Sequence, residues 1–139
     1  MSDRAFTFNQ KTTLLLLILF AYFMRVLDLT SRSLWFDEAV EFLSAAVPPH
    51  LLPQAITAGN YQPPLNIILI HIWHQVDMHP VWLRYLFVSI SLLSVLGMVR
   101  LTAVLLDQKS ALFAGLIMAI MPTEIYYAQD VGEYALLIC

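Results

Sequence analysis

Charged residues are scarce in this chain of 139 residues, because Asp, Glu, Lys and Arg make up only 12% of it, about half the share usual in a soluble domain. Apolar residues make up 60%, and the mean hydropathy is +0.73. The seven basic residues are scattered and the net charge is -3, which excludes a basic stripe for a nucleic-acid partner. The single cysteine, Cys139, excludes an internal disulfide. These shortages predict an integral membrane protein with only a few spans of about 20 residues each.

Long apolar stretches predict three membrane-spanning helices, at about residues 12–29, 81–106 and 110–127. Arg4 and Lys11 precede the first stretch, so the positive-inside rule places the N-terminus in the cytoplasm. Arg25 and Asp28, near the other end of that stretch, are expected to reach the membrane interface or to pair across one helical turn.

The apolar run at residues 63–76 determines the topology of everything after it. It has about 14 residues, or about 21 Å of helix, against a hydrocarbon core of about 30 Å, and it contains one asparagine and two histidines. We therefore predict an interfacial helix that does not cross the membrane. The external loops then cover about residues 30–80 and 123–133, so that Asp37 and Asp130 lie on the same side.

The fold expected from these patterns is an all-α integral membrane unit that covers residues 1–139. It has three full transmembrane helices, the start of a fourth from Tyr134, and interfacial helices in the first external loop. The apolar segment after Tyr134 ends about fifteen residues short of a full span.

The first acidic segment contains the adjacent carboxylates Asp37 and Glu38. One interpretation is purely structural: Asp37 is the N-cap and Glu38 lies in the first turn of a helix that Pro48 ends. The second acidic segment contains Asp130 after a pair of tyrosines, and its structural interpretation is an aromatic belt with a solvated acid. Two acidic loops on one face also indicate a site for a divalent cation, Mg²⁺ or Mn²⁺, held by Asp37 and Asp130 together with a substrate phosphate.

Three motifs follow one another along the chain: Ser33-Leu34-Trp35-Phe36-Asp37-Glu38-Ala39, Gln62-Pro63-Pro64-Leu65 with Ile70-His71-Ile72-Trp73, and Pro122 with Tyr126-Tyr127-Ala128-Gln129-Asp130 and Tyr134-Ala135-Leu136. Together they resemble the N-terminal part of the GT-C class of membrane glycosyltransferases, in the branch that contains the protein O-mannosyltransferases and aminoarabinose transferases.

The resemblance implies transfer of a sugar from a polyprenyl-phosphate-linked lipid donor to a hydroxyl of a protein, lipid or glycan acceptor. The reaction would take place at the outer face of a bacterial-type inner or plasma membrane. The resemblance also implies that Asp37 is the general base or a metal ligand, that Glu38 assists it, and that Asp130 contacts the metal or the donor. Donor binding would further involve Gln62, Tyr127 and Gln129.

The chain departs from this family at two positions and in extent. Many relatives have His where this chain has Gln62, and a basic residue where it has Gly132. Family members also have many more spans, so we expect this chain to be an incomplete portion of the enzyme, inactive alone. The alternative is a non-catalytic small membrane protein, either a gene remnant or an accessory subunit. A transporter fragment is disfavoured, because Asp37 is placed in a loop.

Overall fold

The computed structural model describes residues 8–31, 34–57, 63–132 and 134–138, and within these ranges it contains helices and turns but no strand. A short 3₁₀ turn, Pro49–Leu51, precedes the third helix. The α-helices are α1 (Phe8–Val26), α2 (Phe36–Ala45), α3 (Leu52–Thr57), α4 (Pro64–Trp73), α5 (Pro80–Leu105), α6 (Gln108–Ile120), α7 (Pro122–Ala128) and α8 (Tyr134–Ile138).

Helix α5 is the central element and the longest, with 26 residues. It begins with Pro80 in its first turn, where a missing N–H costs no hydrogen bond, and the ring Nδ1 of His79 accepts from Val81 N at 3.2 Å. Within the described ranges it is the one helix long and apolar enough to cross a membrane by itself. Its bounds agree to within one residue at each end with the helix predicted at residues 81–106.

The prediction of three full spans and the start of a fourth is wrong. Helix α1 has 19 residues, but polar residues near its two ends, including Lys11 and Arg25, leave it less apolar over that length than a membrane span requires. The predicted span at residues 110–127 is broken at Pro122, where α6 and α7 meet at 60°, so this pair provides a second crossing only if the bend lies within one span. Helix α8 is only five residues long.

Helix α4, formed by the run predicted not to cross, has ten residues, or about 15 Å of helix. It ends at Trp73, whose ring stacks on Trp82 of α5 with ring centroids 4.9 Å apart. Each indole N–H donates to the backbone carbonyl of the other tryptophan, at 2.8 and 3.2 Å. These two bonds fix the end of α4 to the start of α5.

Two apolar clusters form the core, and α5 contributes to both. One joins α2, α4 and α5 and includes Ala45, Ile67, Ile70, Leu83 and Phe87. The other joins α1, α5 and α6 and includes Leu17, Ala21, Val99, Ala111 and Ala119. The second cluster is tightly packed around Gly115, where an added Cβ would lie 2.4 Å from Val99 Cγ2 and 2.8 Å from Leu17 Cδ2.

Arg25 holds the bend between α6 and α7. Because Pro122 has no N–H, the carbonyl of Met118 loses its usual helical partner. Arg25 replaces that partner: its Nη2 donates to Met118 O at 3.3 Å and its Nη1 to Ala119 O at 3.2 Å. Arg25 is fully buried, so the expectation that it reaches the interface or pairs with Asp28 is wrong.

The same guanidinium contacts two further polar side chains. Its Nε donates to Ser91 Oγ of α5 at 2.8 Å, and its Nη2 lies 3.9 Å from Glu124 Oε2 of α7. Ser91 in turn donates to Glu124 Oε2 at 3.3 Å. The start of α7 is therefore attached to both α1 and α5, which fixes the position of the acidic segment that follows α7.

Candidate functional site

The first acidic segment forms the start of α2, and its capping differs from the prediction. The N-cap is Trp35 and not Asp37, which is the second residue of the helix. Glu38, the third residue, accepts the backbone N–H of Trp35 through Oε2 at 3.1 Å. This bond satisfies a donor at the helix N-terminus that has no partner within the helix. Asp37 is left exposed.

Glu38 joins the two acidic segments and α5. Its Oε1 accepts the backbone N–H of Val131 at 2.9 Å, and its Oε2 lies 3.0 Å from Nη2 of Arg84. Arg84 also donates to the carbonyl of Leu29 at 3.1 Å. Both charged side chains are almost fully buried, at 2% and 3% exposed. Three chain segments that are distant in sequence therefore meet at one buried ion pair.

Asp130 lies beside this pair and is half-buried. Its Oδ1 accepts the indole N–H of Trp35 at 3.3 Å. The pKa of Asp130 is raised to about 6, chiefly by burial and then by the charge of Glu38 and a hydrogen bond with it, and the Trp35 bond and Arg84 offset part of this rise. Asp130 is therefore a carboxyl that changes charge near neutral pH.

Two adjacent cavities open at this point and share Trp35, Glu38, Tyr126 and Asp130 as lining residues. The larger, of about 340 Å³, is also lined by Ser31, Arg84 and Gln129. The smaller, of about 170 Å³, is also lined by Asp37, Glu41, Tyr127, Val131, Gly132 and Tyr134. We call them the arginine cavity and the tyrosine cavity. Arg84 lines only the arginine cavity, and both cavities contain carboxylates and aromatic rings.

The structure places the predicted site residues as follows. Asp37 and Asp130 both line the tyrosine cavity, and Glu38 lies in the wall between the two cavities. Tyr127 stacks on Tyr134 with ring centroids 4.7 Å apart. Gln129 lines the arginine cavity, but its side-chain amide donates to the carbonyls at the end of α1, at 2.7 and 3.0 Å, and so holds the chain after α7 in place. Gln62 lies outside the described residues.

The sequence reasoning missed Arg84 and Glu41. The signal for Arg84 was its position inside a predicted span, since an ionisable residue there usually faces the protein interior and serves a function. Glu41 is buried on the face of α2 that packs on α4, one turn after Glu38, and its Oε2 accepts from the side-chain amide of Asn66. Within the part of the chain that is described, Asn66 Oδ1 is buried without a hydrogen-bond partner.

A divalent cation is compatible with the donor atoms of the tyrosine cavity, because Asp37, Glu41 and Asp130 all offer carboxylate oxygens. No group of three or more His, Cys, Asp or Glu side chains is arranged to hold a metal ion in residues 8–31, 34–57, 63–132 and 134–138.

Comparisons of this chain with protein-family models, with curated proteins and with solved structures find no match.

Proposed function

We propose that this chain supplies two loops of the transfer centre of a membrane glycosyltransferase that uses a polyprenyl-phosphate-linked sugar donor. The observation that carries the proposal is the meeting of the two acidic segments, because Asp37 and Asp130 line one cavity although they are distant in sequence. A buried arginine opens into the adjacent cavity. Carboxylates for hydroxyl groups and a cation for phosphate are the two kinds of group that such a transfer needs.

In this reaction the acceptor hydroxyl oxygen bonds to the anomeric carbon of the sugar, and the bond from that carbon to the phosphate oxygen breaks. A carboxylate takes the hydroxyl proton, and the phosphate leaves with the bonding electron pair. Asp37 is exposed at the cavity and free to approach an acceptor, whereas Glu38 is held in its ion pair, so Glu38 acts by positioning. Arg84 supplies the positive charge that faces the phosphate, and compensates for the basic residue missing at Gly132.

A divalent cation fits this scheme as a bound cofactor. In that case Asp37 is a metal ligand and not the base: Asp37 and Asp130 would hold the cation together with the donor phosphate, and it would neutralise the negative charge left on the phosphate as the bond breaks.

The proposal places the chain in a plasma-type membrane, with the two cavities at the outer face and the turn at Asp107 and Lys109 in the cytoplasm. The apolar length of α5 supports a crossing. The start of α1 lies beside the end of α5, since Leu14 and Arg100 line a common cavity, so the N-terminus belongs to the cytoplasmic end. Many leucines and phenylalanines on α1, α5 and α6 are exposed, as side chains that contact lipid would be.

Donor binding tests the function directly. The full chain is reconstituted in nanodiscs and titrated with radiolabelled polyprenyl-phosphate monosaccharides, with the corresponding polyprenol as the phosphate-free control. We expect a phosphate-dependent affinity that R84M weakens at least about tenfold, because a hydrogen-bonded charge is lost, while K109M has no effect. Circular dichroism checks that R84M is folded. Equal binding of the polyprenol and the phosphorylated donors would refute the proposal.

Topology is tested with cysteines introduced one at a time at positions 37, 77, 107 and 130, in a chain whose own Cys139 is replaced by Ser. An impermeant thiol reagent added to intact cells should label positions 37, 77 and 130 but not 107. Labelling of only one of positions 37 and 130 would separate the two loops and exclude a shared transfer centre.

A further inference from the structure

A third cavity, of about 360 Å³, lies between α1 and α5, towards the end of α5 that is opposite to the arginine and tyrosine cavities. It is lined by Leu14 of α1 and by Leu96, Gly97, Val99 and Arg100 of α5. Of these described lining residues, Arg100 alone has a charged or polar side chain. The cavity, which we call the α1–α5 groove, is therefore an apolar surface with one positive charge beside it.

The side chain of Arg100 has no partner in the part of the chain that the structure describes. Arg25 and Arg84 are buried, and each is bound to a glutamate and to backbone carbonyls. Arg100 is exposed, and it makes no hydrogen bond or ion pair with a described residue. A guanidinium has five N–H donors in a geometry that matches a phosphate. Those of Arg100 are available to a ligand from outside the chain.

The position of Arg100 along α5 corresponds to the depth of lipid phosphates. Trp82, stacked on Trp73, lies near the start of the helix, and tryptophan is typical of the membrane interface. Arg100 follows Trp82 by 18 residues, or about 27 Å along the helix axis. The hydrocarbon core of a bilayer is about 30 Å thick. When Trp82 lies at one boundary of this core, Arg100 therefore lies at the other, beside the phosphates of that leaflet.

Gly97 keeps the groove open towards the middle of the membrane. It precedes Arg100 by three residues, so it lies on nearly the same face of α5, one turn closer to the membrane centre. A Cβ added at Gly97 would meet nothing within 4 Å. An acyl chain that extends from a phosphate at Arg100 can therefore lie against the backbone of α5, between Leu14 and Leu96.

A second positive charge lies on α1 near the groove. Lys11 precedes Leu14 by three residues, so the two are neighbours on the surface of α1. Like Arg100, Lys11 is exposed and has no hydrogen bond or ion pair with a described residue. None of the described residues that line the groove is acidic. Two cations favour a headgroup with a net negative charge over a zwitterionic one, as basic pockets between membrane helices generally do.

We infer that the α1–α5 groove binds one anionic phospholipid, whose phosphate contacts Arg100 and one of whose acyl chains lies over Gly97. The lipid belongs to the leaflet opposite to the arginine and tyrosine cavities. This inference goes beyond the proposed function, because it requires the membrane crossing of α5 but neither the sugar donor nor the transfer reaction.

The test is lipid binding to the full chain in an uncharged detergent, followed by native mass spectrometry. Dioleoyl phosphatidylglycerol is compared with dioleoyl phosphatidylcholine, which has the same acyl chains and no net charge, and with glycerol phosphate, which has no acyl chain. One phosphatidylglycerol should bind at least about fivefold more tightly than phosphatidylcholine, since a basic residue near a lipid surface contributes about that factor. Glycerol phosphate should not bind measurably.

Substitutions assign the binding to the groove. R100Q should weaken phosphatidylglycerol binding about fivefold or more and so bring the two lipids close to each other. G97F fills the groove and should weaken both lipids to a similar extent. K109Q is the matched control, because Lys109 is also an exposed cation but lines no part of the groove. Circular dichroism checks that each variant is folded, as expected for substitutions at exposed positions.

Four outcomes would overturn the inference. Equal binding of the two lipids would show that the headgroup is not recognised, and binding of glycerol phosphate as tight as that of the lipid would show that the groove is not used. Unchanged binding in G97F would show the same. Equal losses in R100Q and K109Q would show a diffuse basic surface instead of a site. R84M, which tests donor binding, should leave the preference for phosphatidylglycerol intact, so failure of the proposed function and failure of this inference are distinguishable.

Discussion

Replacing Glu38 by alanine tests whether the buried ion pair assembles the site. The substitution leaves Arg84 as an unpaired charge that is only 2% exposed, and it removes the acceptor for the backbone N–H groups of Trp35 and Val131. Breaking a buried pair by removing one partner costs about 3–5 kcal/mol, and the lost hydrogen bonds are already part of that cost. We therefore expect E38A to lower the free energy of unfolding by about 3–5 kcal/mol.

The neighbouring residue provides the matched control. Asp37 is exposed, so D37A should change the free energy of unfolding by no more than about 0.5 kcal/mol. Both variants can be unfolded with SDS from mixed micelles and followed by circular dichroism and tryptophan fluorescence. A double variant, E38L with R84M, should recover most of the loss, since apolar side chains often replace a buried pair at little cost. If E38A unfolds within about 1 kcal/mol of D37A, the ion pair does not hold the site together.

The remaining predictions concern packing, protonation and the helix bend. G115A should destabilise the protein by about 1–3 kcal/mol in the same SDS titration, because the added Cβ would overlap the side chain of Val99 in α5. G97A is the control and should be neutral, since its Cβ would meet nothing within 4 Å. Equal effects of the two substitutions would contradict the packing described. The pKa of Asp130 is raised from 3.8 to about 6, so its contribution to stability is complete below pH 3.8 and is lost as the pH rises through about 6. Unfolding measured from pH 4 to pH 8 should show this loss and D130N should lack it; the same pH profile in both proteins would contradict the raised pKa. R25M should make the 60° angle between α6 and α7 more variable, because Arg25 bonds the carbonyl of Met118 at the bend. Spin labels on the two helices should then give a broader distribution of distances. An unchanged distribution would show that Arg25 does not hold the bend.

Helix type and the extent of α5 could be predicted from the sequence, because both depend on local composition. A continuous apolar run of span length between Pro80 and Leu105 is sufficient to define α5. The shortness of α4 was predictable for the same reason, since proline precedes it and its apolar run is brief. The number of spans could not be predicted in this way. Counting apolar residues in a window does not take account of the polar ends of α1 or of the break in the helix at Pro122.

The contacts that build the site depend on partners far apart in the chain, and a sequence pattern does not contain them. Asp37 and Glu38 are adjacent and chemically alike, yet one is exposed and the other is buried against Arg84. Helical periodicity puts them on different faces of α2, but does not indicate which face meets α5. The two acidic segments were predicted to lie on one side. Only the structure shows that Glu38 and Trp35 line both of the cavities beside these segments.

The two buried polar clusters are connected through α5, and this connection explains where the cavities lie. Arg84 and Ser91 are seven residues apart, so they lie on one face of the helix, about 10.5 Å from each other along its axis. Arg84 binds Glu38 of α2, and Ser91 contacts both Arg25 of α1 and Glu124 of α7. Buried polar and charged groups such as these are stable only where groups on neighbouring elements pair with them. The polar side chains of α5 therefore bind α1, α2 and α7 along the same half of the helix. The two acidic segments lie beside each other because they are next to α2 and α7.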